Sequence, residues 1–399
     1  MRSEPLKVAF YGGMFLPLAQ HFTSNSGTHT DFFWDVEFFN EVKNQFSEEL
    51  ITLPNVFIDK YNSRGNRLLP GFSPLTTIFK RYDLLIVSED GVIFAEASGC
   101  RYVFVPLGYE LARFASRGND FHGLFFLLRN VFSKYKLRKG VVASKYILAN
   151  DFPVFRKAIS SLHLQNKWMP KFVPTPIDWS VFDSEVKLEN RFFQKKIFNI
   201  FYPNRIIFTK SEVEEETGQT KNTGLAIWGY KRFKEIARCE SKLHIIRRGR
   251  DEDLLLLDAL IQELDLSESI VWLGENRPLT SEEMKRAYLN ANVVLGDFGS
   301  LWFGKTTIEA FSQGKPVICK LDRKLVNNLN IEKGIFLVNT ADEIAHYLGL
   351  LSEMSNIDAQ ELAYSLRTLY ENKFSRIAVQ KFYTDLVTHL ASDLHEDLT

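Results

Sequence analysis

The 399-residue chain carries 49 basic and 49 acidic side chains, so its formal net charge is +0 at pH 7. A balanced charge gives no overall attraction to the phosphates of a nucleic acid, and we expect no nucleic-acid partner. This length exceeds one ordinary hydrophobic core and predicts two domains. The cysteines lie far apart, without the spacing of a zinc site or a disulphide framework, and indicate reduced thiols in a cytoplasmic protein: Cys100, Cys239 and Cys319.

The first predicted element is a buried strand, the apolar run from Lys7 to Tyr11. This run is too short for a signal peptide, and no stretch approaches the roughly eighteen apolar residues of a membrane-spanning helix. Gly12 and Gly13 follow the strand, where a glycine pair lets a ligand come close to the backbone. The full dinucleotide fingerprint is absent, so the two glycines are candidate ligand contacts on weak evidence.

A polar and aromatic segment comes next, for which we predict a loop and a helix from Thr30 to Lys43. His29, Asp31 and Asp35 lie in this segment. They are either contacts for a substrate or solvated residues of a surface loop, and the residues themselves leave both interpretations open.

The rest of the first half alternates between strands and helices. A helix with Phe94 and Ala95 ends at Gly99, and a second helix is predicted to begin in the stretch Lys145 to Phe155. Strands are predicted at Ile51 to Asp59, Asp83 to Val87, Tyr102 to Val105 and Val141 to Ser144. Alternation of this kind predicts a parallel sheet with right-handed crossovers.

The stretch from Phe121 to Lys139 combines aromatic and aliphatic residues with five basic ones. A helix of this composition can lie on an anionic bilayer, so residues 121–139 are a candidate for peripheral contact with the inner membrane face. The alternative is a helix packed in the core with a solvated basic end.

The second half follows a charged linker from Phe182 to Lys196 and opens with a strand from Ile197 to Tyr202. The acidic run Asp251 to Asp253 precedes the apolar run Leu254 to Leu257, where acids complement a helix N-terminus and need not hold a metal. Further strands are predicted at Leu243 to Ile246 and Ile270 to Leu273, and helices through Trp228 and Phe233 and at Thr280 to Asn290, Ala341 to Met354, Asp358 to Asn372 and Phe374 to Leu390.

The segment from Leu295 to Leu321 predicts a strand, a polar loop, a helix and a buried strand. Thr306 and Thr307 are the predicted caps of its helix, and Gly314 is the predicted end. Open parallel sheets bind ligands at such a loop, because the amides of the helix N-terminus point at an incoming anion.

This segment resembles the donor site of retaining GT-B glycosyltransferases of the family 4 type. In that family two glutamates separated by seven residues bracket a Gly-Phe-Gly turn, and an Ala-x-x-x-Gly-x-Pro-Val-Ile run follows. Glu309, the pair Phe303-Gly304 and the run Ala310 to Ile318 match, whereas Leu301 stands in place of the first glutamate. The resemblance implies that Glu309 holds the ribose of a nucleotide, with Phe303, Gly304, Lys305 and Thr306 beside it.

Other positions carry the resemblance further. Arg205 and Lys221 match an Arg…Lys-Gly arrangement that stabilises a departing diphosphate, with Lys210 as a competing candidate. Glu110 lies in a loop similar to the family's His-Gly-x-Asp/Glu loop, with Leu107 in place of the histidine. The resemblance also implies donor contacts at Gly249, Gly274 and Glu275, with Gly12 and Gly13, and acceptor contacts at His29, Asp31 and Asp35.

The fold implied is α/β, with two Rossmann-like domains facing across a cleft and a C-terminal helix that crosses back to the first domain. Residues 1–180, with helix 374–392, would form the acceptor domain, and residues 195–373 the nucleotide-sugar donor domain. The implied activity is sugar transfer from a nucleotide-sugar to a glycan, lipid-linked or protein acceptor, with retention and without a metal or other cofactor.

The replacements at Leu107 and Leu301 leave alternatives open. One is a less hydroxylated donor sugar, and another is inversion with Asp31, Asp35 or Glu110 as the base. Epimerisation of a sugar nucleotide on the same fold is a third. A catalytically inactive subunit that binds or scaffolds a partner belongs to a different class of function.

Overall fold

In a computed structural model, the protein divides into two compact units, one formed by Met1–Pro176 with Arg376–Thr399 and the other by Ile177–Ser375. The described residues are 5–24, 28–35, 40, 48–59, 67–106, 111–112, 124–183, 197–208, 214, 221–274, 278–299, 304–331 and 334–396. The predicted α/β class is confirmed, because in each unit the described strands form a parallel sheet accompanied by helices.

The first unit contains a seven-stranded parallel sheet in the order β3-β2-β1-β4-β5-β6-β7. The strand order reverses at β1, which pairs with β2 on one side and β4 on the other. Ligands of such sheets bind beyond the carboxyl ends of the strands at this reversal. The strands are β1 (Leu6–Tyr11), β2 (Thr28–Asp35), β3 (Val56–Asp59), β4 (Leu84–Val87), β5 (Tyr102–Phe104), β6 (Tyr146–Ala149) and β7 (Trp168–Pro170).

The C-terminal helix, Arg376–Glu396, belongs to the first unit, as predicted. Tyr383 on this helix is fully buried and contacts the rings of Phe10 and Phe15, with centroids 6.2 and 5.9 Å away. The other helices of this unit are α1 (Ala19–Ser24), α2 (Glu48–Ile51), α3 (Pro74–Phe79), α4 (Gly91–Ser98), α5 (Leu124–Ala143) and α6 (Pro153–Ser161).

The second unit has a six-stranded parallel sheet in the order β10-β9-β8-β11-β12-β13. Here the order reverses between β8 and β11, so the carboxyl ends of these strands mark the expected ligand position. The strands are β8 (Ile197–Tyr202), β9 (Glu240–Ile246), β10 (Ile270–Leu273), β11 (Val293–Leu295), β12 (Val317–Cys319) and β13 (Ile335–Leu337).

Helices of the second unit pack closely on each other and on the sheet. Gly229 lies so near Ile344 that a Cβ atom at position 229 would be 2.5 Å from that side chain. The helices are α7 (Trp179–Phe182), α8 (Thr223–Ile236), α9 (Asp251–Glu263), α10 (Ser281–Asn290), α11 (Lys305–Ser312), α12 (Arg323–Leu329), α13 (Ala341–Ser352) and α14 (Asn356–Lys373).

Three predictions for the first half are wrong. The helix expected from Thr30 is strand β2 as far as Asp35, since Phe32, Phe33 and Trp34 are buried in the sheet and favour extended backbone. Residues 36–39 and 41–47 of that prediction lie outside the described part of the chain.

The strand expected at Val141 to Ser144 is instead the end of helix α5, and β6 begins only at Tyr146. Gly140 permits this, because a Cβ atom there would be 2.7 Å from the backbone oxygen of Val92 in α4. The close approach of the two helices overrides the strand propensity of the valines. The helix expected in Lys145 to Phe155 begins only at Pro153. Within the described ranges, no helix has the length and apolarity needed to cross a membrane.

Candidate functional site

The turn after β8 is fixed against the turn after β11. The side-chain amide of Asn204 donates hydrogen bonds to the carbonyl oxygens of Leu295 and Gly296, at 3.2 and 2.8 Å. Residues Tyr202 to Ile207 also pass beside the start of α8, where the backbone N–H of Ile207 donates to Thr223 Oγ1 at 3.1 Å. Two chain segments at the carboxyl edge of the sheet are thereby held together.

Lys221 lies at this edge, just before α8, and forms an ion pair with Asp297 in the turn after β11. Asp297 is held in place from two sides. Its Oδ1 accepts from the backbone N–H of Gly299 at 2.9 Å, and the neighbouring Phe298 is fully buried in the core. The cation predicted at Lys221 is therefore already close to a carboxylate.

Arg205 and Arg248 lie on neighbouring turns, after β8 and β9. The backbone N–H of Ile206 donates to the carbonyl oxygen of Arg248 at 2.7 Å, and Ile206 forms an isolated parallel bridge with Gly249. A Cβ atom at Gly249 would be 2.9 Å from the backbone oxygen of Ile206. Gly249 is thus required for the close approach of the two turns, a role distinct from the predicted contact with the donor.

Glu309 is buried in α11, where only 4% of the residue is exposed. Its Oε2 accepts a hydrogen bond from the hydroxyl of Tyr288 at 3.0 Å, and Lys305 Nζ lies 3.5 Å from Oε1. Burial raises the pKa of Glu309, and the positive charge of Lys305 and the hydrogen bond from Tyr288 offset this only in part. Lys305 is less buried than Glu309 and lies in the first turn of the same helix.

The predicted caps of this helix are wrong. Gly304 is the N-cap residue, in extended conformation, and Thr306 and Thr307 lie inside the helix. The carbonyl oxygen of Thr306 is 3.2 Å from the Tyr288 hydroxyl, which places Thr306 beside the Glu309 cluster through its backbone.

Four of the predicted site residues lie outside the described part of the chain: Glu110, Lys210, Glu275 and Phe303. Gly274 is described and follows β10 with a φ of 68°, a left-handed conformation that suits glycine. Its predicted contact with a nucleotide base stays a prediction.

The first unit presents its glycine pair at the carboxyl end of β1. Gly12 has a φ of 131°, and a Cβ atom there would be 1.9 Å from the hydroxyl oxygen of Ser88. A Cβ atom at Gly13 would be 2.3 Å from the ring of Trp34. Gly12 is required by packing and by its backbone conformation, and Gly13 by packing against Trp34, whether or not a ligand approaches them.

The three acceptor-side candidates do not lie together on β2. Asp35 is the last residue of the strand, at its carboxyl end, whereas His29 and Asp31 are in its first half. Asp31 Oδ2 accepts from the hydroxyl of Tyr82 at 2.5 Å and lies 3.1 Å from His29 Nε2. Burial and the hydrogen bond to Asp31 raise the pKa of Tyr82. Only Asp35 has the position expected of a ligand contact.

Sequence reasoning missed Glu89 and Asp90 at the carboxyl end of β4. Glu89 is one of the non-glycine residues with positive φ, at 52°, and its Oε2 accepts from the indole N–H of Trp34 at 3.4 Å. Asp90 forms a 2.5 Å ion pair with Arg67. Strained backbone concentrates at functional sites. The available sequence signal was the position of these two acids directly after a buried strand, because ligands of parallel sheets bind at the carboxyl ends of strands.

The acids Asp251 to Asp253 occupy the first turn of α9, as predicted. Asp253 is fully buried and accepts from the backbone N–H of Phe208 at 2.7 Å and from Arg250 Nε at 2.8 Å. In the ranges that the structure describes, no group of three His, Cys, Asp or Glu side chains could hold a metal ion. Metal independence of the reaction stays a prediction.

No protein-family model matches the sequence, and a search of the curated proteins finds no match. Solved structures do resemble it over nearly its whole length. HepE of Anabaena, in complex with UDP and glucose, is 12% identical with a TM-score of 0.64, over 96% of this chain and 100% of its own. Sucrose-phosphate synthase of Thermosynechococcus elongatus is 12% identical with a TM-score of 0.59, over 97% and 100%. The N-terminal domain of trehalose-6-phosphate phosphatase of Candida albicans is 11% identical with a TM-score of 0.62, over 98% of each.

Proposed function

From the premise that the chain has the GT-B fold of glycosyltransferases, we propose that it transfers a sugar from a nucleotide-activated donor. A fold alone does not determine an activity, so the proposal depends on the site. The observation that carries it is the placement of Arg205, Arg248 and Lys221 around the turns at the carboxyl edge of the second sheet. Positive groups fixed there would stabilise the negative charge that develops on a departing phosphate.

The donor to test first is a UDP-sugar, because HepE forms complexes with UDP and with UDP-glucose. Glu309 would accept hydrogen bonds from the ribose hydroxyls. A carboxylate can accept about four hydrogen bonds, and Tyr288 and Lys305 engage only part of this capacity. Tyr288 would then position Glu309 for the nucleotide.

The proposed reaction proceeds with retention, by attack of the acceptor on the face from which the nucleotide leaves. The departing diphosphate would accept the proton of the attacking hydroxyl, so no carboxylate nucleophile is needed. The protein would supply orientation and fixed positive charge, without a metal. In this scheme Arg205 binds phosphate oxygens directly, and Asp297 holds Lys221 in place.

The acceptor is proposed to be a glycan, a lipid-linked sugar or a protein. For a lipid-linked acceptor, α5 offers a surface for peripheral membrane contact. Val131, Phe132 and Tyr135 on this helix are exposed, and Lys136 Nζ lies 5.3 Å from the centre of the Phe132 ring. Exposed aromatic residues beside lysines suit the interface of an anionic bilayer.

A binding or scaffolding subunit without catalytic activity is the second candidate. It is favoured by the ion pair between Lys221 and Asp297 and by the burial of Glu309, since protein groups already engage both side chains. The N-terminal domain of a phosphatase also shares the fold.

Hydrolysis of a panel of nucleotide-sugars distinguishes the two. An active transferase should slowly release free nucleotide from one donor, and Glu309→Ala should weaken binding of that nucleotide. Glu263→Ala, at an exposed position on α9, is the control and should bind as the wild type does. Failure of the wild-type protein to bind any nucleotide, measured by calorimetry, would leave only the scaffold.

A further inference from the structure

We propose that Arg248 is the second cation of the diphosphate site and that it forms, with Arg205, an arginine clamp. This inference rests on the proposed function. The resemblance assigns the second position to Lys221, with Lys210 as a competing candidate, and gives no role to Arg248.

The clamp is held by backbone geometry. Ile206, next to Arg205, donates its N–H to the carbonyl oxygen of Arg248 and bridges to Gly249. The two arginines therefore extend from adjacent turns whose separation is fixed by a hydrogen bond and by a glycine. Both residues are exposed at the carboxyl edge of the sheet, where a ligand can reach them.

Arg248 differs from Arg247, which precedes it. Arg247 donates to both carboxylate oxygens of Asp258, at 2.9 and 2.7 Å, and its guanidinium lies 4.7 Å from the ring centre of Trp272. By contrast, neither Arg205 nor Arg248 forms an ion pair with an acidic side chain of the described residues. Their positive charges lack a counter-charge from this part of the protein.

The charge of Arg205 acts on Arg248. Desolvation of the Arg248 guanidinium lowers its pKa, and repulsion by Arg205 lowers the pKa further. The two like charges on adjacent turns repel each other, and a bound dianion would offset this repulsion. A guanidinium group suits a diphosphate site because its planar fork can bind two phosphate oxygens at once, whereas a lysine ammonium acts as a point charge.

Lys221 is a weaker candidate for the same place. Its ion pair with Asp297 offsets its charge, so its attraction for a phosphate is smaller than that of an arginine without a carboxylate partner. We assign Lys221 to the positioning of the neighbouring turns and Arg248 to direct binding of the diphosphate.

Calorimetry with UDP, GDP and ADP, each beside its monophosphate, tests the clamp in the full chain. Arg248→Gln should weaken binding of the preferred diphosphate by about tenfold or more and reduce the preference for it over the monophosphate. Arg248→Lys should recover part of the loss. Arg247→Gln, which removes the same charge one residue away, should leave the affinity unchanged.

A second readout separates this role from a structural one. Because Arg248→Gln relieves repulsion, its melting temperature without ligand should equal or exceed that of the wild type. Unchanged diphosphate binding by Arg248→Gln, or an equal loss in Arg247→Gln, would overturn the clamp. If the wild type binds no nucleoside diphosphate, the proposed function fails, and binding of inorganic pyrophosphate then tests the clamp separately. If the wild type binds pyrophosphate and Arg248→Gln does not, the clamp stands without the proposed function. If the wild type does not bind pyrophosphate either, the clamp is rejected as well.

Discussion

Lys221 and Asp297 form an ion pair that joins the start of helix α8 to the turn after strand β11. Their side chains are only 21% and 10% exposed, so water screens the pair less than it screens ion pairs on the open surface. The two residues are 76 positions apart in the chain, and both border the candidate donor site. The pair therefore acts as a link between two segments that must be placed correctly together.

This link predicts a measurable coupling. Lys221→Gln, Asp297→Asn and the double variant should give a coupling energy of about 1 to 2 kcal/mol in the free energy of unfolding, because removing one partner leaves the other charged and partly buried. Urea denaturation of the four proteins measures it. The exposed pair Arg238 and Glu353, 3.9 Å apart with side chains 88% and 62% exposed, is the control and should give a coupling near zero. Equal coupling in the two pairs would contradict the prediction.

Glu309 predicts a dependence of stability on pH. Burial raises its pKa above the ordinary value of 4.5, so folding disfavours the charged form. The stability that protonated Glu309 contributes to the folded protein is fully present below pH 4.5. It is lost as the pH rises through the raised pKa that Glu309 has in the folded protein. The glutamine of Glu309→Gln carries no titratable group. The melting temperature of this variant should therefore rise relative to that of the wild type as the pH increases from 4.5.

Glu263→Gln is the control for this titration, because position 263 is exposed on α9. Its melting temperature should follow that of the wild type over the same range. A difference between Glu309→Gln and the wild type that stays constant with pH would show that Glu309 is not held in a desolvated environment.

Gly12 predicts a conformational requirement in the first unit. Gly12→Ala should destabilise the protein by about 2 to 3 kcal/mol, because the new Cβ atom would overlap Ser88 Oγ and the φ of 131° is strained for alanine. Removing the obstacle with Ser88→Gly should restore only part of the loss, since the strain remains. Gly71→Ala is the control, with no atom within 4 Å of its Cβ position. Its effect should stay within about 0.5 kcal/mol or be slightly stabilising.

Helix α5 predicts binding to anionic vesicles. The wild type should float with vesicles that contain phosphatidylserine, more weakly at high salt, because lysines beside Phe132 and Tyr135 attract the charged surface. The double variant Phe132→Ser with Tyr135→Ser should lose most of this binding. Phe72→Ser, at a residue that is 87% exposed elsewhere in the same unit, should bind like the wild type. Equal loss in the control would point to general hydrophobicity rather than to α5.

Local sequence was sufficient for several elements of the second sheet. Strands β8 and β10 have the predicted bounds, since continuous apolar runs between turn residues are typical of buried parallel strands. The helix predicted from Thr280 to Asn290 is also confirmed, and Thr280 and Glu283 form a capping box at its start. Strand β2 was missed because His29, Thr30 and Asp31 at its start look like a loop when their neighbours in the sheet are unknown.

For the candidate site, the sequence could indicate the loops but not the partners. The predicted order of elements already placed three candidate residues near the carboxyl edge of one parallel sheet. Arg205 follows strand β8, Lys221 precedes helix α8, and Glu309 lies in helix α11 after strand β11. The carboxylate beside Lys221 and the hydroxyl beside Glu309 come from positions 76 and 21 residues away, so only the tertiary structure identifies them. The proximity of Arg248 to Arg205 depends in the same way on the pairing of β8 with β9.

The C-terminal helix has a consequence for biosynthesis. Tyr383 fills the core of the unit that contains Phe10 and Phe15, although the whole of Ile177–Ser375 is translated between them. Domains begin to fold while the ribosome is still elongating the chain. The unit that is continuous in sequence can therefore complete its interior during translation, whereas the unit that begins first must wait for the last helix to emerge.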